Sequence, residues 1–132
     1  MKILVVEDNE ISSKLMSTVL NKAGFTVDVA STGGAAIKLY AKNNYDFIFM
    51  DVGLPDCDGT TVTRHIRKRS ARKKHIPIIA LTAHGDEQTK KACLTAGMND
   101  FLTKPIDNKQ LKTIVTKYAT TPCLPPNIWH KH

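Results

Sequence analysis

The stretch YDFIFMDVGLPDCDG at positions 45–59 changes character at Asp51, where a mostly apolar run ends and a turn-rich segment begins. A second apolar run, ILVV at positions 3–6, ends in the same way at Glu7 and Asp8. Short apolar runs bounded by turn residues are typical of buried parallel strands. Because side chains at the carboxyl ends of parallel strands converge on one crevice, the three carboxylates are expected to form an acidic pocket that holds a metal ion.

The composition fits one compact domain with an apolar core, since the chain has 132 residues and 42% of them are hydrophobic. Its longest apolar run falls far short of the roughly 20 residues that a membrane span needs, and the early acidic residues argue against a secretory signal. The three cysteines, Cys57, Cys93 and Cys123, form no CxxC pair. This usage argues against a disulfide framework or a zinc site and favours a reducing, cytosolic location.

The net charge of +7 is concentrated in one segment. Seven basic residues lie within eleven positions: Arg64, Arg67, Lys68, Arg69, Arg72, Lys73 and Lys74. Such a cluster can steer a protein to nucleic acid or to an acidic partner, but no nucleic-acid-binding motif surrounds it and no aromatic residue interrupts it. The favoured interpretation is a solvated helix end, with no direct binding to nucleic acid.

The hydrophobic periodicity predicts five strands that alternate with five helices. The strands are predicted at about 2–6, 25–30, 45–50, 77–82 and 99–103. The helices are predicted after Asn9, after Thr32, and over about 60–69, 86–96 and 108–118. Each connection is long enough to join parallel strands. The predicted inward positions are Ile11, Leu15, Met16 and Val19 in the first helix and Leu111, Ile114, Val115 and Tyr118 in the fifth.

The pattern of the strands indicates their order in the sheet. The first, third and fourth strands are apolar on both faces, as in the centre of a parallel sheet. The second strand alternates, with Phe25, Val27 and Val29 on one face, and is predicted to be a half-covered edge strand. These features predict an α/β fold of the flavodoxin-like (βα)5 type, a three-layer sandwich with sheet order 2-1-3-4-5 and helices on both faces.

The periodicity ends near Ala119, and the remaining segment contains Pro122, Pro125, Pro126 and an isolated Trp129. We therefore predict one folded domain over residues 1–119 and a C-terminal tail or linker over residues 120–132. Docking of Trp129 on a surface is the alternative.

The acidic pocket calls for a particular kind of cation. Three carboxylates within a few ångströms repel one another, and a divalent cation relieves the repulsion. Magnesium suits oxygen ligands and retained waters, whereas thiol- and imidazole-binding metals need other side chains. The predicted metal is therefore Mg²⁺, held by Glu7, Asp8 and Asp51.

Two further residues are expected in the same crevice, Thr82 at the end of the fourth strand and Lys104 at the end of the fifth. A hydroxyl and an ammonium can each bind one phosphoryl oxygen while the cation takes the third. Asp51, on the middle strand, is then the predicted nucleophile, because aspartate forms an acyl phosphate. Each residue alone could be a helix cap or a surface charge, but their joint placement at strand ends favours phosphoryl transfer.

Four segments now resemble one family: VVEDN (5–9), MDVGLPDCDG (50–59), PIIALTA (77–83) and GMNDFLTKP (97–105). They resemble the receiver domains of two-component response regulators, and most of all the receivers of hybrid sensor histidine kinases. The resemblance covers residues 2 to about 118. It implies a phosphorelay module that takes a phosphoryl group from a phosphohistidine on a histidine kinase or a histidine phosphotransfer protein, and then hydrolyses it slowly or passes it on.

The resemblance also implies an origin for the chain. The preferred one is a C-terminal receiver excised from a hybrid kinase, whose parent would be a protein-histidine kinase with its receiver in the cytoplasm. A stand-alone response regulator is the alternative. The receiver itself would turn over no substrate beyond its own phosphorylation and dephosphorylation.

The family's site residues map onto this chain by their motifs. Glu7 and Asp8 match the acidic pair for magnesium, Asp51 matches the phosphoacceptor, and Thr82 and Lys104 match the pair that contacts the phosphoryl group. The resemblance also implies that Gly53 gives its backbone carbonyl to the metal, that Ala83 leaves the phosphoryl group room, and that the Lys104–Pro105 bond is cis.

Two more positions carry regulatory roles in the family. Phe101 matches the aromatic switch, whose ring follows Thr82 after phosphorylation and alters the face formed by helix four, strand five and helix five. His84 matches, with Gly53, a variable position that tunes loss of the phosphoryl group, since a nearby imidazole could orient or exclude water.

Three other functions fit parts of the pattern. An aspartate-nucleophile phosphatase needs the same groups, but its usual aspartate-x-aspartate pair on the first strand and its cap are not visible. Flavin or dinucleotide binding is disfavoured because the turn at Glu7–Glu10 is acidic and would repel a phosphate. A phosphorylation-independent adaptor predicts that Asp51→Asn leaves partner binding intact.

Overall fold

The computed structural model describes residues 2–69, 76–83 and 85–119. Strands and helices alternate strictly along these ranges, as the periodicity predicts. The elements are β1 (Lys2–Val6), α1 (Glu10–Lys22), β2 (Thr26–Ala30), α2 (Gly33–Lys42), β3 (Phe47–Asp51), α3 (Gly59–Arg69), β4 (Ile78–Thr82), α4 (Glu87–Ala96), β5 (Asp100–Thr103) and α5 (Asn108–Ala119). Within the same ranges, none of the helices has the length and apolar character of a membrane span.

The five strands form one parallel sheet in the order β2-β1-β3-β4-β5, which confirms the predicted topology. The central strand β3 is buried along its whole length, and so is β4. The edge strand β2 is only partly covered, and Val29 on it is exposed rather than packed under a helix. Because β1, β3, β4 and β5 end at the same edge of the sheet, the residues that follow them lie close together.

The core has two parts, one on each face of the sheet, which makes the fold a three-layer sandwich. On one face α1 and α5 cover Ile3, Val5, Phe47 and Phe49, and on the other α2, α3 and α4 cover Leu4, Val6, Ile48 and Met50. The predicted inward face of α5 is confirmed. Its buried residues are Leu111, Ile114 and Val115, with Tyr118 packed against them.

The predicted inward face of α1 is only half right. Met16 and Val19 are buried, but Ile11 is 81% exposed and Leu15 is 50% exposed. The buried stripe continues instead to Leu20, because residues three and four apart share a face of a helix and Met16, Val19 and Leu20 satisfy that spacing. Ile11 and Leu15, four residues apart, form a second apolar stripe that faces outward.

The basic cluster is in part structural. Arg67 donates hydrogen bonds to the carbonyl oxygens of Gly97 (2.9 Å) and Ile76 (2.6 Å) and to the side-chain oxygen of Asn99 (2.8 Å). Asn99 in turn accepts a hydrogen bond from the backbone of Ile78. Arg67 therefore ties the last turn of α3 to the start of β4 and to the α4–β5 turn. The basic residues at positions 72–74 lie outside the described part of the chain, as do Cys123 and Trp129.

Candidate functional site

An acidic cluster lies at the carboxyl ends of β1 and β3. These strands pair with Val6 opposite Met50, so the residues that follow them are neighbours. Glu7, Asp8 and Asp51 each offer a carboxylate oxygen, and these oxygens lie within 4.8 Å of one another. Glu7 and Asp51 are buried, whereas Asp8 is exposed. This set of oxygen ligands, open on one side, suits a hard divalent cation that keeps some of its waters.

Lys104 brings a positive charge to the two buried carboxylates. Its ammonium nitrogen lies 2.9 Å from Oε1 of Glu7 and 3.0 Å from Oδ2 of Asp51. The residue follows β5, and its backbone N–H donates to the carbonyl oxygen of Thr82 at 2.7 Å. The Lys104–Pro105 peptide bond is cis. Burying two carboxylates is costly unless they are paired, so Lys104 is the residue that makes this pair tolerable without a metal.

The pKa values of Glu7 and Asp51 are shifted in opposite directions. Burial raises the pKa of Glu7 to about 7, and the neighbouring carboxylate of Asp51 adds to this shift while Lys104 opposes it. Burial alone would also raise the pKa of Asp51, but hydrogen bonds from Glu7, from the backbone of Gly53 and from Lys104 lower it. Without a metal, a proton therefore binds to Glu7 in preference to Asp51, and Asp51 stays ionised as a nucleophile requires.

The loop after β3 holds Asp51 from the other side. The N–H of Gly53 donates to Oδ1 of Asp51 at 3.0 Å, and Gly53 pairs with Asp58 across the loop in an antiparallel bridge. Asp58 then accepts a hydrogen bond from the N–H of Thr60 at 2.8 Å in the first turn of α3. Gly59 passes so close that a Cβ there would overlap the carbonyl oxygen of Asp51. The loop is thus fixed at both ends.

We expect Gly59→Ala to lower the free energy of unfolding by about 1–3 kcal/mol, because the added methyl group meets rigid backbone rather than a flexible side chain. Urea unfolding of the purified protein measures the effect. Gly53→Ala is the matched control, since a Cβ at that position meets no atom within 4 Å. Equal stability losses for the two variants would contradict the steric explanation.

Asp56 was not singled out from the sequence, although it anchors this loop to α2. Its two carboxylate oxygens accept hydrogen bonds from the N–H groups of Gly33 (2.8 Å) and Gly34 (3.0 Å) at the start of α2. These backbone hydrogen bonds hold the pKa of Asp56 below its usual range. The paired glycines were the available signal, but the sequence does not indicate which carboxylate reaches them across 22 residues.

The remaining predicted residues lie on and beside β4 and β5. Thr82 is buried at the end of β4. Ala83 is exposed and lines an open cleft of about 560 Å³ together with Gly85, Asp86 and Thr89. Phe101 on β5 is half-buried and packs against the core beneath α3 and α4. His84 lies outside the described residues.

The structure thus brings together Glu7, Asp8, Asp51 and Lys104 at one edge of a parallel sheet, with Thr82 ending the neighbouring strand. Comparison with known proteins gives the class to which this fold and site belong. The family model for the response regulator receiver domain matches residues 3–116. The chain therefore belongs to the receiver domain family, whose members are the phosphoacceptor domains of two-component signalling systems.

Sensor histidine kinases are among the relatives of the chain. The chain is 42% identical over 124 residues to the osmosensing histidine protein kinase SLN1 of Saccharomyces cerevisiae, covering 89% of this chain and 10% of that protein. It is 37% identical over 121 residues to the aerobic respiration control sensor protein ArcB of Escherichia coli, covering 92% of this chain and 15% of that protein. The chain thus spans only a small part of the length of these sensor kinases and is similar in sequence to that part of each.

Solved structures agree with this assignment. The receiver domain of sensor histidine kinase PA1611 from Pseudomonas aeruginosa superposes with a TM-score of 0.80 at 37% identity, covering 89% of this chain and 95% of that one. That structure holds a magnesium ion in its active-site cleft. A two-component response regulator from Clostridium difficile superposes with a TM-score of 0.83 at 28% identity, covering 89% of this chain and 93% of that one.

Proposed function

We propose that Asp51 accepts a phosphoryl group from a phosphohistidine, with Mg²⁺ held by the carboxylates of Glu7, Asp8 and Asp51 and by the carbonyl of Gly53. One observation carries this proposal. The ammonium of Lys104 contacts both the buried nucleophile candidate and one of the acidic pair, at 3.0 Å and 2.9 Å. A structural ion pair needs only one carboxylate, whereas phosphoryl transfer needs a nucleophile, a cation site and an ammonium together.

The proposed chemistry assigns a task to each side chain. A carboxylate oxygen of Asp51 attacks phosphorus, the bond between phosphorus and the imidazole nitrogen breaks, and the nitrogen keeps the electron pair. The ammonium of Lys104 and the hydroxyl of Thr82 donate hydrogen bonds to phosphoryl oxygens as the group arrives. Bound Mg²⁺ supplies further positive charge for the phosphoryl oxygens. Water later attacks the acyl phosphate, or a second histidine takes the group onward.

The donor is proposed to be a histidine kinase or a histidine phosphotransfer protein that docks on α1. Asp8 leads directly into this helix through Asn9, whose side chain accepts a hydrogen bond from the N–H of Ser12 at 3.0 Å. The outward stripe of Ile11 and Leu15 therefore lies on the helix that starts directly after the acidic cluster. Exposed apolar residues next to a reaction site suit a partner that must bring its own histidine to Asp51.

Replacing both Ile11 and Leu15 with glutamate is expected to slow phosphoryl transfer from a phosphohistidine-bearing phosphotransfer domain by about tenfold or more, since anchor residues of an interface each contribute over 1 kcal/mol. Transfer from acetyl phosphate, which needs no docking, should be unchanged. A radiolabelled phosphoryl group follows both reactions, with Asp51→Asn as the blank. If the double variant slows both donors equally, α1 is not the docking helix.

The boundaries and setting of the module belong to the same proposal. We assign residues 1–119 to the receiver and residues 120–132 to a tail or linker, the latter lying outside the described part of the chain. A hybrid kinase is the proposed parent, with a stand-alone regulator as the second candidate. A cytoplasmic location is supported by the thiols of Cys57 and Cys93, which form no disulfide within the described part of the chain.

A further inference from the structure

α4 places a lysine over the aromatic ring of Phe101. The ammonium nitrogen of Lys90 lies 4.6 Å from the ring centroid, which is cation–π distance. The ring also packs against the core beneath α3 and α4. The aromatic side chain thus contacts both an apolar surface and a positive charge.

Lys90 makes a second, weaker contact with Glu87. Glu87, one turn earlier on α4, lies 3.9 Å from the ammonium, and its side chain is 88% exposed. An ion pair this exposed contributes little, because water screens it. The Lys90 side chain itself is only 33% exposed, so the ring is the partner that fixes its position.

We propose that Lys90 is a positioning residue that holds Phe101 in its unphosphorylated position and so sets the balance of the switch. The inference rests on the proposed function and on the role that the family resemblance implies for Phe101, whose ring moves with Thr82 after phosphorylation. Phe101 pairs with Ala80 on the neighbouring strand, and Thr82 lies two residues further along that strand. If the Phe101 ring moves toward Thr82, the Lys90 ammonium loses this contact and faces only solvent and Glu87. The contact therefore favours the present position, and the lysine opposes activation.

The size of the effect follows from the contact. A cation–π pair at a partly exposed site changes a two-state equilibrium by about two- to fivefold. Removing the charge should raise the population of the switched ring by that factor before any phosphoryl group is present. In this proposal the switched form is the reactive one, so phosphorylation should accelerate by the same factor.

The test compares Lys90→Met, which keeps the length of the side chain without its charge, with Lys90→Arg, which keeps the charge. Lys91→Met is the matched control, since Lys91 is an exposed lysine on the same helix. Fluorine NMR of protein labelled with fluorophenylalanine reports the ring, and Phe101→Leu assigns its signal among the four phenylalanines. The rate of phosphorylation by acetyl phosphate with Mg²⁺ is measured alongside.

In Lys90→Met, the Phe101 signal is expected to move part of the way toward its position in phosphorylated wild type, with a rate about two- to fivefold higher. Lys90→Arg should restore both values, and Lys91→Met should match wild type. The inference is overturned if Lys90→Met matches Lys91→Met in signal and rate. Failure of the proposed function itself looks different, because wild type would then gain no phosphoryl group from acetyl phosphate.

Discussion

Replacing Lys104 with methionine is expected to slow phosphorylation of Asp51 by about 10²–10³-fold, the usual cost of losing one donor to a transition-state oxygen. The same change should leave Mg²⁺ affinity equal or higher. The ammonium of Lys104 now sits between Glu7 and Asp51, at 2.9 Å and 3.0 Å, so it repels an arriving cation. General damage to the fold would weaken metal binding as well, so a slower rate without weaker metal binding points to the ammonium itself.

The two quantities are measured by the rate of phosphorylation from acetyl phosphate and by calorimetric titration with Mg²⁺. Lys112→Met is the matched control, because Lys112 is an exposed lysine on α5 and the substitution removes the same charge. It should change neither quantity appreciably. If Lys104→Met binds Mg²⁺ more weakly than Lys112→Met does, the ammonium does not compete with the cation and the proposed geometry is wrong.

Glu7 is expected to make the stability of the metal-free protein fall as pH rises from about 5 to about 8. Its pKa is raised from 4.5 to about 7 by burial and by Asp51, so the folded state binds a proton that the unfolded state has already released in this range. The contribution of Glu7 to stability is complete at a pH below its pKa in the unfolded state. It is lost as the pH rises through its pKa in the folded state. This contribution amounts to about 1–3 kcal/mol, because water beside the exposed Asp8 screens the charges and reduces the effect.

Asp51 does not change stability between about pH 5 and about pH 8. Its pKa is lowered, so its contribution to stability is lost only in acid. Urea unfolding across the pH range in the presence of a chelator measures the trend. Glu7→Gln should remove most of the decline, and Mg²⁺ should restore wild-type stability most strongly at the alkaline end, where Glu7 is ionised. A decline of equal slope in Glu7→Gln would show that another group is responsible.

The fold was predictable because its signals are local. The runs at 3–6 and 78–81 are apolar throughout, which indicates buried parallel strands, and Asn9 and Thr32 cap the following helices as their residue types suggest. The face of α1 was less predictable. Ile11 and Leu15 fit one helical stripe and Met16 and Val19 another, and the sequence does not say which stripe the sheet covers.

The site was predictable to the extent that strand ends converge. Glu7, Asp8, Asp51 and Lys104 lie at or just after the ends of three different strands, so the sheet order places them at one edge. Contacts between elements that are distant in sequence were not predictable. The hydrogen bonds of Asp56 to the start of α2 and the position of Lys90 over Phe101 depend on how helices and loops pack, and no spacing rule encodes that.

The most direct test of the account is the intact mass of the protein after incubation with acetyl phosphate, with and without Mg²⁺. Wild type is expected to gain one phosphoryl group only when Mg²⁺ is present, and Asp51→Asn is expected to gain none. No added mass on the wild type, or equal phosphorylation of Asp51→Asn, would contradict the assignment of Asp51 as the phosphoacceptor.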